Sequence, residues 1–399
     1  MKIFLLFFIS INTIFCQEIV QIGMGVSYEY DIYYSFEDGI TAFPERNNWE
    51  LAFSTDLSSG NIRINSGAPV YLYEASQSLD NWPEITSLQS NYEQLRNSNL
   101  FWETGAFINN FSIDLNSGWG TYVEDEQSII GEKIYIIDYP GGQKKIRINS
   151  FILGVFNFTI ANLDNSNEME FNIDINSYQN KKFIYYSIDE NLIIDREPDK
   201  ENWDLLFSRY EEEYVSLNQD TMPYIVTGVL TNNNLTYQFN GTVETTPEIE
   251  ISNFNYEINT IGYDWKEYNG SFVVLPDLSY YLFNQDQTKL FKIVFESFSG
   301  QSFGNLSFYI EEIDSSDIFV LENHKLPIKV FPNPSNGLFN LESEINNFNI
   351  NIFNLNGKKI QSKECLDFCN FDLTNFSKGV YILNFENESM NIVKKIIIE

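Results

Sequence analysis

Hydrophobic and polar residues alternate over many short stretches of the chain, which is the pattern of half-buried β-strands. Alternating runs at residues 134–139 and 144–151 flank a Pro-Gly-Gly turn, so this region predicts a β-hairpin. Residues 280–283 and 289–298 repeat the arrangement around the polar turn NQDQ. Residues 88–95 have the helical spacing of apolar side chains, and a short helix is predicted there. The pattern as a whole predicts a mostly β fold.

Two sequence motifs occur twice, in the same order. In each copy a Tyr-Tyr-Ser segment is followed by a Trp-containing segment, and the two copies are about 150 residues apart. The copies are YYSFEDG at 33–39 with NNWELAFS at 47–54, and YYSIDEN at 185–191 with ENWDLLFS at 201–208. This repetition favours two homologous β-rich units, at residues 17–175 and 176–320.

The Trp segments alternate apolar residues with charged or small ones. The apolar residues are Trp49, Leu51 and Phe53 in the first copy, and Trp203, Leu205 and Phe207 in the second. Because alternate side chains of a strand share one face, we expect each set of three to be buried on the same face.

Three other tryptophans are candidates for contact with a ligand. Trp82, Trp102 and Trp119 lie in or near less regular, polar stretches, so we expect them to be exposed. Exposed aromatic rings can stack on a small ligand or a glycan.

The N-terminus has the pattern of a secretory signal peptide. Lys2 is followed by the apolar run IFLLFFISINTIF and then by Cys16 and Gln17. This order is typical of such signals, so we expect residues 1–16 to be removed during export to the periplasm. A lipoprotein signal that uses Cys16 is the alternative, and the large Phe15 before the cysteine disfavours it. Elsewhere no stretch approaches the roughly 18 apolar residues of a membrane-spanning helix.

The charge of the chain limits its partners. Among 399 residues there are 56 acidic side chains and 24 Lys and Arg, which gives a net charge of −32. Such a field repels phosphate backbones and attracts cations, so nucleic acid is not an expected partner. Hydrophobic residues make up 43% of the chain, enough to predict several folded domains rather than disorder.

Candidate catalytic groups are scarce. The single histidine, His324, lies in a predicted linker at 321–327, where we do not expect a base held inside a pocket. One His and two Cys in the exported chain cannot complete a zinc site, and the sequence has no nucleotide-binding glycine loop. Acidic residues are too numerous for any carboxylate pair to be singled out. We therefore predict no catalytic residue, no metal and no cofactor.

Several turns have simple structural explanations. Residues 162–170 and 284–287 are rich in oxygen ligands but lack the spaced pattern of a calcium loop, so solvated turns are favoured. Residues 195–197, Asp-Arg-Glu, predict an ion-paired turn. Cys365 and Cys369 can form a local disulfide if the chain turns between them, and otherwise they are two partly buried thiols.

Four short motifs near the C-terminus occur in a fixed order. They are PNPSNG at 332–337, LNGKKI at 355–360, DLTNFSKGVYIL at 372–383 and a closing basic and apolar strand. Their characteristic residues are Pro332, Asn333, Pro334, Gly337, Gly357, Lys358, Gly379, Val380 and Tyr381. Residues 328–399 resemble the type A C-terminal sorting domain of the type IX secretion system of Bacteroidota, a small Ig-like β-sandwich. The terminal Glu399 departs from that family, whose members usually end in a basic residue.

This resemblance implies a location and partners. The folded protein would cross the outer membrane through the type IX secretion machinery and lose the sorting domain. The remainder would be released or tethered to surface lipopolysaccharide. The expected localisation is therefore secreted or at the outer-membrane surface.

The body resembles a second family. NWELAF followed by IRINSG at 62–67, and the paired segments of the second copy, are similar to HmuY-like surface proteins, which are β-rich and bind haem. That family ligates haem through two histidines, and no histidine precedes His324 here. Met24, Met169 and Met222 are the remaining soft ligands. The resemblance therefore implies the fold of the two units without the haem site.

The sequence thus predicts a secreted or surface-attached, non-enzymatic binding or adhesion-type protein, with a small molecule or glycan as its unidentified ligand. The alternatives are a haem-binding HmuY-like protein, a structural component of the cell surface, and a hydrolase. A carboxylate-based hydrolase would need two acids about 5 to 10 Å apart in a cleft. The ligand, the oligomeric state and the choice between release and tethering are left open.

Overall fold

The computed structural model describes residues 18–57, 59–108, 118–123, 128–215, 221–241, 247, 249, 251–313, 328–332, 335–343, 348–354, 359–366, 368–386 and 391–398. Within these ranges the strands pair in antiparallel sheets, which confirms the mostly β prediction. Short 3₁₀ turns occur at Val26–Tyr28, Leu79–Glu84, Ile175–Tyr178 and Ile251–Asn253.

The strands are numbered along the chain. The first are β1 (Glu18–Gly23), β2 (Ile32–Ser35), β3 (Gly39–Ala42), β4 (Leu51–Ser54), β5 (Ile62–Ile64), β6 (Tyr71–Ser76), β7 (Glu93–Leu95), β8 (Gly120–Val123), β9 (Ser128–Gly131), β10 (Ile134–Tyr139), β11 (Gly142–Ile152), β12 (Val155–Asn162) and β13 (Met169–Asp174). Next come β14 (Phe183–Ser187), β15 (Leu192–Ile194), β16 (Leu205–Val215), β17 (Thr221–Thr231), β18 (Thr236–Asn240), β19 (Lys266–Tyr268), β20 (Phe272–Val274), β21 (Leu278–Phe283), β22 (Leu290–Phe298) and β23 (Asn305–Ile313). The last are β24 (Ile328–Phe331), β25 (Leu338–Ser343), β26 (Phe348–Asn354), β27 (Lys359–Cys365), β28 (Phe368–Asp372), β29 (Gly379–Glu386) and β30 (Asn391–Ile398).

Strands β4 to β15 form the first half of the body, a sandwich of two sheets. One sheet has the order β13-β12-β11-β10-β6-β7, with β9 and β8 beside β11, and the other has the order β15-β14-β4-β5. Phe53, Phe156, Phe158 and Trp119 are among the side chains that fill the core between them. The predicted hairpin of β10 and β11 is confirmed by their antiparallel pairing.

Strands β1 to β3 and β16 to β23 form the second half, again a sandwich. Its sheets have the orders β1-β23-β22-β21-β18 and β17-β16-β2-β3, and β19 and β20 form a separate two-stranded ribbon. The core includes Phe207, Trp265, Phe295 and Phe308. The second predicted hairpin, β21 with β22, is also confirmed.

The two four-stranded sheets pack against each other, so the body has four layers. Tyr33, Ala52, Tyr185 and Leu206 belong to a cluster of buried residues between these sheets. Strands β2, β4 and β14 are therefore buried on both faces.

The prediction that Trp, Leu and Phe of each Trp segment are buried on one face is wrong for the Trp. Leu51 and Phe53 pack in the core of the first half, but Trp49 packs in the middle cluster, where it is half-buried. Trp203 is likewise in the middle cluster, apart from its neighbours Leu205 and Phe207. The reason is that each Trp precedes its strand, so the alternation of the strand does not extend to it.

Each packed half of the body contains strands from both of the sequence units predicted at 17–175 and 176–320. Strand β2 pairs with β16, where Tyr34 faces Leu205, and β14 pairs with β4, where Tyr186 faces Leu51. Strand β1, near the N-terminus, pairs with β23. The four Tyr-Tyr-Ser and Trp motifs thus meet in crossed pairs at the centre of the body.

The helix predicted at residues 88–95 is wrong. Glu93–Leu95 is strand β7, which pairs with β6 at the edge of the large sheet of the first half. Leu95 enters the core of that half, whereas Leu88 and Tyr92 pack on a separate small cluster around Trp82. The apolar residues of this stretch therefore contact two separate clusters rather than forming one helix face.

Strands β24 to β30 form a small sandwich of their own. Its sheets have the orders β24-β25-β28 and β27-β26-β29-β30, and Phe339, Ile352 and Leu383 are in its core. Cys365 at the end of β27 is disulfide-bonded to Cys369 in β28, with Cα atoms 6.0 Å apart. Of the two alternatives left by the sequence, the structure has the disulfide, and it connects the two sheets.

Candidate ligand-binding site

The three tryptophans predicted to be exposed are buried. Trp82, Trp102 and Trp119 have exposed fractions of 6%, 9% and 0%. Trp119 lies in the core of the first half, Trp102 in the middle cluster and Trp82 in a separate small cluster, so a polar local sequence did not mean exposure. Each indole Nε1 donates a hydrogen bond within the protein, to Glu168, to the Thr231 carbonyl and to the Gly60 carbonyl respectively. The expectation of exposed stacking rings is wrong.

Trp82 is enclosed by cations. Its ring centroid lies 4.6 Å from Lys145 Nζ and 4.6 Å from Arg147 Cζ, an arrangement that favours cation-π attraction. Lys145 Nζ also donates to the Trp82 carbonyl at 2.6 Å. The contacts tie the 3₁₀ turn at Leu79–Glu84 to strand β11.

The predicted ion-paired turn at residues 195–197 has different partners. Arg196 pairs with Asp31, 2.8 Å away, and both side chains are buried. Asp31 also accepts a hydrogen bond from Ser208 at 2.6 Å. Glu197 accepts from Tyr185 at 2.7 Å. The turn therefore forms a buried polar network between the layers.

The sorting-motif residues lie in the C-terminal sandwich as far as they are described. Gly337 has a φ of +102°, and a Cβ there would lie 2.8 Å from Thr374 Cα, so only glycine fits. Tyr381 is buried and donates to the Ser377 carbonyl at 2.7 Å. Pro332 follows β24, and Gly379 and Val380 begin β29. The remaining motif residues, Asn333, Pro334, Gly357 and Lys358, lie outside the described residues, as does His324.

The soft ligands considered for haem lie in different environments. Met24 is fully buried in the core of the second half. Met169 in β13 and Met222 in β17 each have an exposed fraction of 47%. No group of three or more His, Cys, Asp or Glu is placed to hold a metal ion among the residues that the structure describes.

The clearest difference between the halves is a hairpin. Strands β4 and β5 have four and three residues, whereas the corresponding β16 and β17 have eleven each. Asn65 and Asn232 identify the correspondence, because each amide donates to the carbonyl of the motif tryptophan, Trp49 or Trp203. The first pair is separated by 16 residues and the second by 29. That spacing was the sequence signal for an extended hairpin.

The extended hairpin forms one wall of an open cavity of about 490 Å³. The lining is mostly polar and includes the acids Glu212, Glu213, Glu257 and Asp264, the amides Gln238, Asn253, Asn255 and Asn259, and the rings of Tyr237 and Tyr263. We call it the acidic cavity. Sequence analysis did not identify these residues, because acids and amides are common throughout the chain.

The carboxylate of Glu212, in the acidic cavity, is held by hydrogen bonds to both of its oxygens. It is buried, and its Oε2 accepts from Asn259 Nδ2 at 3.0 Å. Its Oε1 accepts from Asn99 Nδ2. The carboxylate is therefore an oriented acceptor rather than a freely rotating surface charge.

Lys266 braces the base of the same hairpin. Its Nζ donates to the Thr227 carbonyl at 2.7 Å and to the Tyr263 carbonyl at 3.1 Å. It also lies 4.0 Å from the centroid of the Trp265 ring. Burial lowers the pKa of Lys266 to about 7, and nearby Asp264 opposes that shift.

The comparisons with known proteins concern the C-terminal sandwich. Residues 329–399 match the family model described as "Secretion system C-terminal sorting domain". No curated protein matches the chain. In the parts of the chain that are described, no helix has the length and hydropathy to cross a membrane.

The match determines where the protein goes. The sorting domain interacts with the type IX secretion machinery, and the protein is secreted or displayed at the cell surface. The predictions of a C-terminal sorting domain and of this localisation are confirmed.

Proposed function

We propose that this exported protein is a non-enzymatic binding protein, and that the acidic cavity holds a neutral, hydroxyl-rich ligand such as the end of a glycan. The observation that carries the proposal is the fixed Glu212 carboxylate in a cavity lined by acids, amides and two tyrosines. Carboxylates accept hydrogen bonds from hydroxyl groups, and amides both donate and accept. A small number of oriented polar groups is what gives a pocket its specificity.

The charge of the cavity narrows the class of ligand. Four acids line it, and Lys266, next to the lining residue Asp264, is buried with its Nζ donating to backbone carbonyls. An anionic ligand would be repelled at close range, whereas hydroxyl groups and weak cations would not. Tyr237 and Tyr263 add ring faces to the lining.

The test is a glycan array followed by calorimetric titration of the secreted protein. We expect a defined subset of glycans to be retained, and Glu212→Gln to weaken their binding about tenfold or more, because a charged acceptor is lost. Glu170→Gln, which removes an exposed acid from β13 of the first half, is the matched control. Retention of no glycan, or equal effects of the two substitutions, would contradict the proposal.

We also propose that the body is an internal duplication of HmuY-like units at 17–175 and 176–320, and that the sorting sandwich is Ig-like. The support is that equivalent residues of the two copies pair in the same way. Tyr34 in β2 faces Leu205 in β16, and the equivalent Tyr186 in β14 faces Leu51 in β4. The crossed pairing of these strands means that the sequence units and the packed halves have different boundaries.

Haem binding is the second candidate that the HmuY-like resemblance suggests. Its weakness is the set of axial ligands, because Met24 is enclosed in the core and Met169 and Met222 are on different halves. A saturable Soret shift on titration with haem would favour it over the glycan proposal. Failure to bind any ligand would indicate a purely structural role at the cell surface. Turnover of a retained glycan would indicate a carboxylate-based hydrolase.

The final fate of the exported protein is also a proposal. Release into the medium and attachment to surface lipopolysaccharide are both compatible with the sorting domain. Deleting residues 326–399 should trap the body in the periplasm, and surface exposure of the shortened protein would show that another segment directs export.

A further inference from the structure

A second cavity lies where the two halves of the body meet. Its volume is about 500 Å³, and we call it the basic cavity. Val26 and Glu29 come from the N-terminal segment, and Arg46 comes from the connection between β3 of the second half and β4 of the first. Pro69 comes from the connection between β5 and β6, and Arg209 and Ile225 come from the extended hairpin. Two arginines, Arg46 and Arg209, line this cavity although the chain has a net charge of −32.

Arg46 is fixed by backbone groups. Its Nε donates to the Tyr28 carbonyl at 2.8 Å and its Nη1 to the Gly67 carbonyl at 2.5 Å. Ser27 and Tyr28 both have a φ of +58°, a conformation that non-glycine residues seldom adopt. The Tyr28 carbonyl that accepts from Arg46 therefore belongs to a strained backbone segment. Arg46 is therefore buried and oriented without any ion pair to a carboxylate among the described residues.

Arg209 is the second cation of the basic cavity. Its Nε is buried and has no hydrogen-bond partner within the described ranges, and its Cζ lies 5.9 Å from the Tyr28 ring centroid. Burial is the main reason that the pKa of Arg46 is lowered; Asp31 opposes the shift, and Arg209 and Arg196 add to it. These two guanidinium groups repel each other and form no salt bridge to a carboxylate in the described part of the chain, so they are suited to share an anion.

The rest of the lining sets the kind of anion. Glu29 is exposed at the edge of the cavity, so the site favours one negative charge over two. Val26 is 64% exposed, and with Pro69 and Ile225 it gives the cavity an apolar side. Burial of such surface by a ligand would be favourable.

The geometry points to a second ligand site, in which Arg46 and Arg209 bind the carboxylate of a small monocarboxylic acid whose short apolar part lies against Val26 and Ile225. This site goes beyond the proposed glycan site, because it has the opposite charge and takes a different chemical class. Both cavities use the extended hairpin, whose counterpart in the first half, β4 and β5, is much shorter.

Calorimetric titration of the secreted protein tests the site, with acetate, butyrate, hexanoate, hexanamide and inorganic sulfate as probes. We expect hexanoate to bind at least about tenfold more tightly than acetate, because each buried methylene adds to binding. Hexanamide should bind at least about tenfold more weakly than hexanoate, because it lacks the charge that arginine recognises. Equal binding of hexanoate with hexanamide, or with sulfate, would overturn the proposal, as would no detectable binding of hexanoate.

Substitutions on the hairpin localise the binding. Arg209→Gln should weaken hexanoate binding about tenfold or more, because it removes one charged donor. Arg96→Gln is the matched control, since Arg96 pairs with Glu211 of the same hairpin at 2.7 Å but does not line the cavity. Ile225→Asp, which places a negative charge in the cavity and leaves both arginines intact, should also abolish binding. Each variant is checked for folding by circular dichroism, and unchanged binding in folded Arg209→Gln or Ile225→Asp would overturn the site.

Discussion

The two halves of the body share a framework and differ in what is built on it. In both, a four-stranded sheet packs on a larger sheet, and a fully buried tryptophan, Trp119 or Trp265, lies in the core. The hairpin of β4 and β5 is short in the first half, whereas β16 and β17 in the second continue to Val215 and Thr221, past the positions where β16 pairs with β2. Both candidate cavities are lined by that extension. The common framework therefore supports the fold, and the extended hairpin supplies candidate binding groups to both cavities.

A single position next to the core tryptophan shows the same contrast. Trp119 is followed by Gly120, whose missing side chain leaves room for the Ile130 carbonyl, because a Cβ would lie 2.3 Å from that oxygen. Trp265 is followed by Lys266, which reaches the backbone of the extended hairpin. In the first half this position therefore allows β8 to lie close to β9, whereas in the second half its side chain binds the backbone of the extended hairpin.

The largest expected effect tests the common framework. Trp119→Ala and Trp265→Ala should each lower the free energy of unfolding by about 3 to 5 kcal/mol, because both remove a fully buried indole and leave a cavity. Urea unfolding followed by circular dichroism measures this. A loss below about 1 kcal/mol for either variant would show that the two halves are not equally built around their tryptophans.

Replacement by phenylalanine separates the hydrogen bond of each tryptophan from its packing. Trp119 Nε1 donates to the Gly60 carbonyl at 2.7 Å, whereas Trp265 Nε1 has no hydrogen-bond partner among the described residues. Trp119→Phe should therefore be more destabilising than Trp265→Phe, by about 1 to 3 kcal/mol for the carbonyl left unpaired. The opposite order would mean that the cation over Trp265 matters more than the hydrogen bond of Trp119.

The next effect tests the contact between the halves. Arg196→Met should cost about 3 kcal/mol of unfolding free energy, because it leaves the Asp31 carboxylate buried with only Ser208 as a described donor. The double variant Asp31→Leu with Arg196→Met should recover most of that loss, because neither charge is then buried alone. A double variant as unstable as the single one would show that the pair is not the cause.

The effect of Lys266 is a dependence of stability on pH, and it is the smallest of these effects when counted per pH unit. Its pKa is about 7 in the folded protein and about 10.4 in an unfolded chain, so between these values the unfolded chain binds the extra proton. The stability of the wild type should therefore rise with pH from about 7 to about 10, by at most about 1.4 kcal/mol per unit for this group. Lys266→Met should lack this increment in urea unfolding at pH 7 to 9.5.

Lys133→Met is the control for that slope. Lys133 is half-buried and pairs with Glu74 at 2.8 Å in the first half. Its variant should keep the slope of the wild type. If Lys266→Met keeps the same slope as Lys133→Met, the lysine is charged in the folded protein throughout this range, and burial does not control it.

Much of the fold was predictable because its strands are regular. Alternation and a Pro-Gly turn identified the hairpin of β10 and β11, and a polar turn identified that of β21 and β22. The helix at 88–95 was wrong because its apolar spacing serves two separate clusters. The crossed pairing of β2 with β16 could not be predicted, because periodicity gives the faces of a strand and not its partner.

The candidate site was much less predictable. Trp82, Trp102 and Trp119 were expected to be exposed because their local sequence is polar, yet contacts from distant residues such as Arg147 and Thr231 bury them. Glu212 and Arg209 resemble any other charged residue until the hairpin places them in cavities. The sequence trace of the longer strands β16 and β17 is the spacing of 29 residues between Trp203 and Asn232, against 16 between Trp49 and Asn65.

The most direct test is hydrogen–deuterium exchange of the secreted protein with and without saturating hexanoate. We expect the ligand to contact the extended part of β16 and β17 and the connection that contains Arg46, and not the corresponding short strands β4 and β5. Exchange should slow in peptides covering 205–215 and 221–231 when hexanoate is bound, and stay unchanged in peptides covering 51–64. Slower exchange at 51–64, or unchanged exchange throughout the hairpin at saturation, would contradict this prediction.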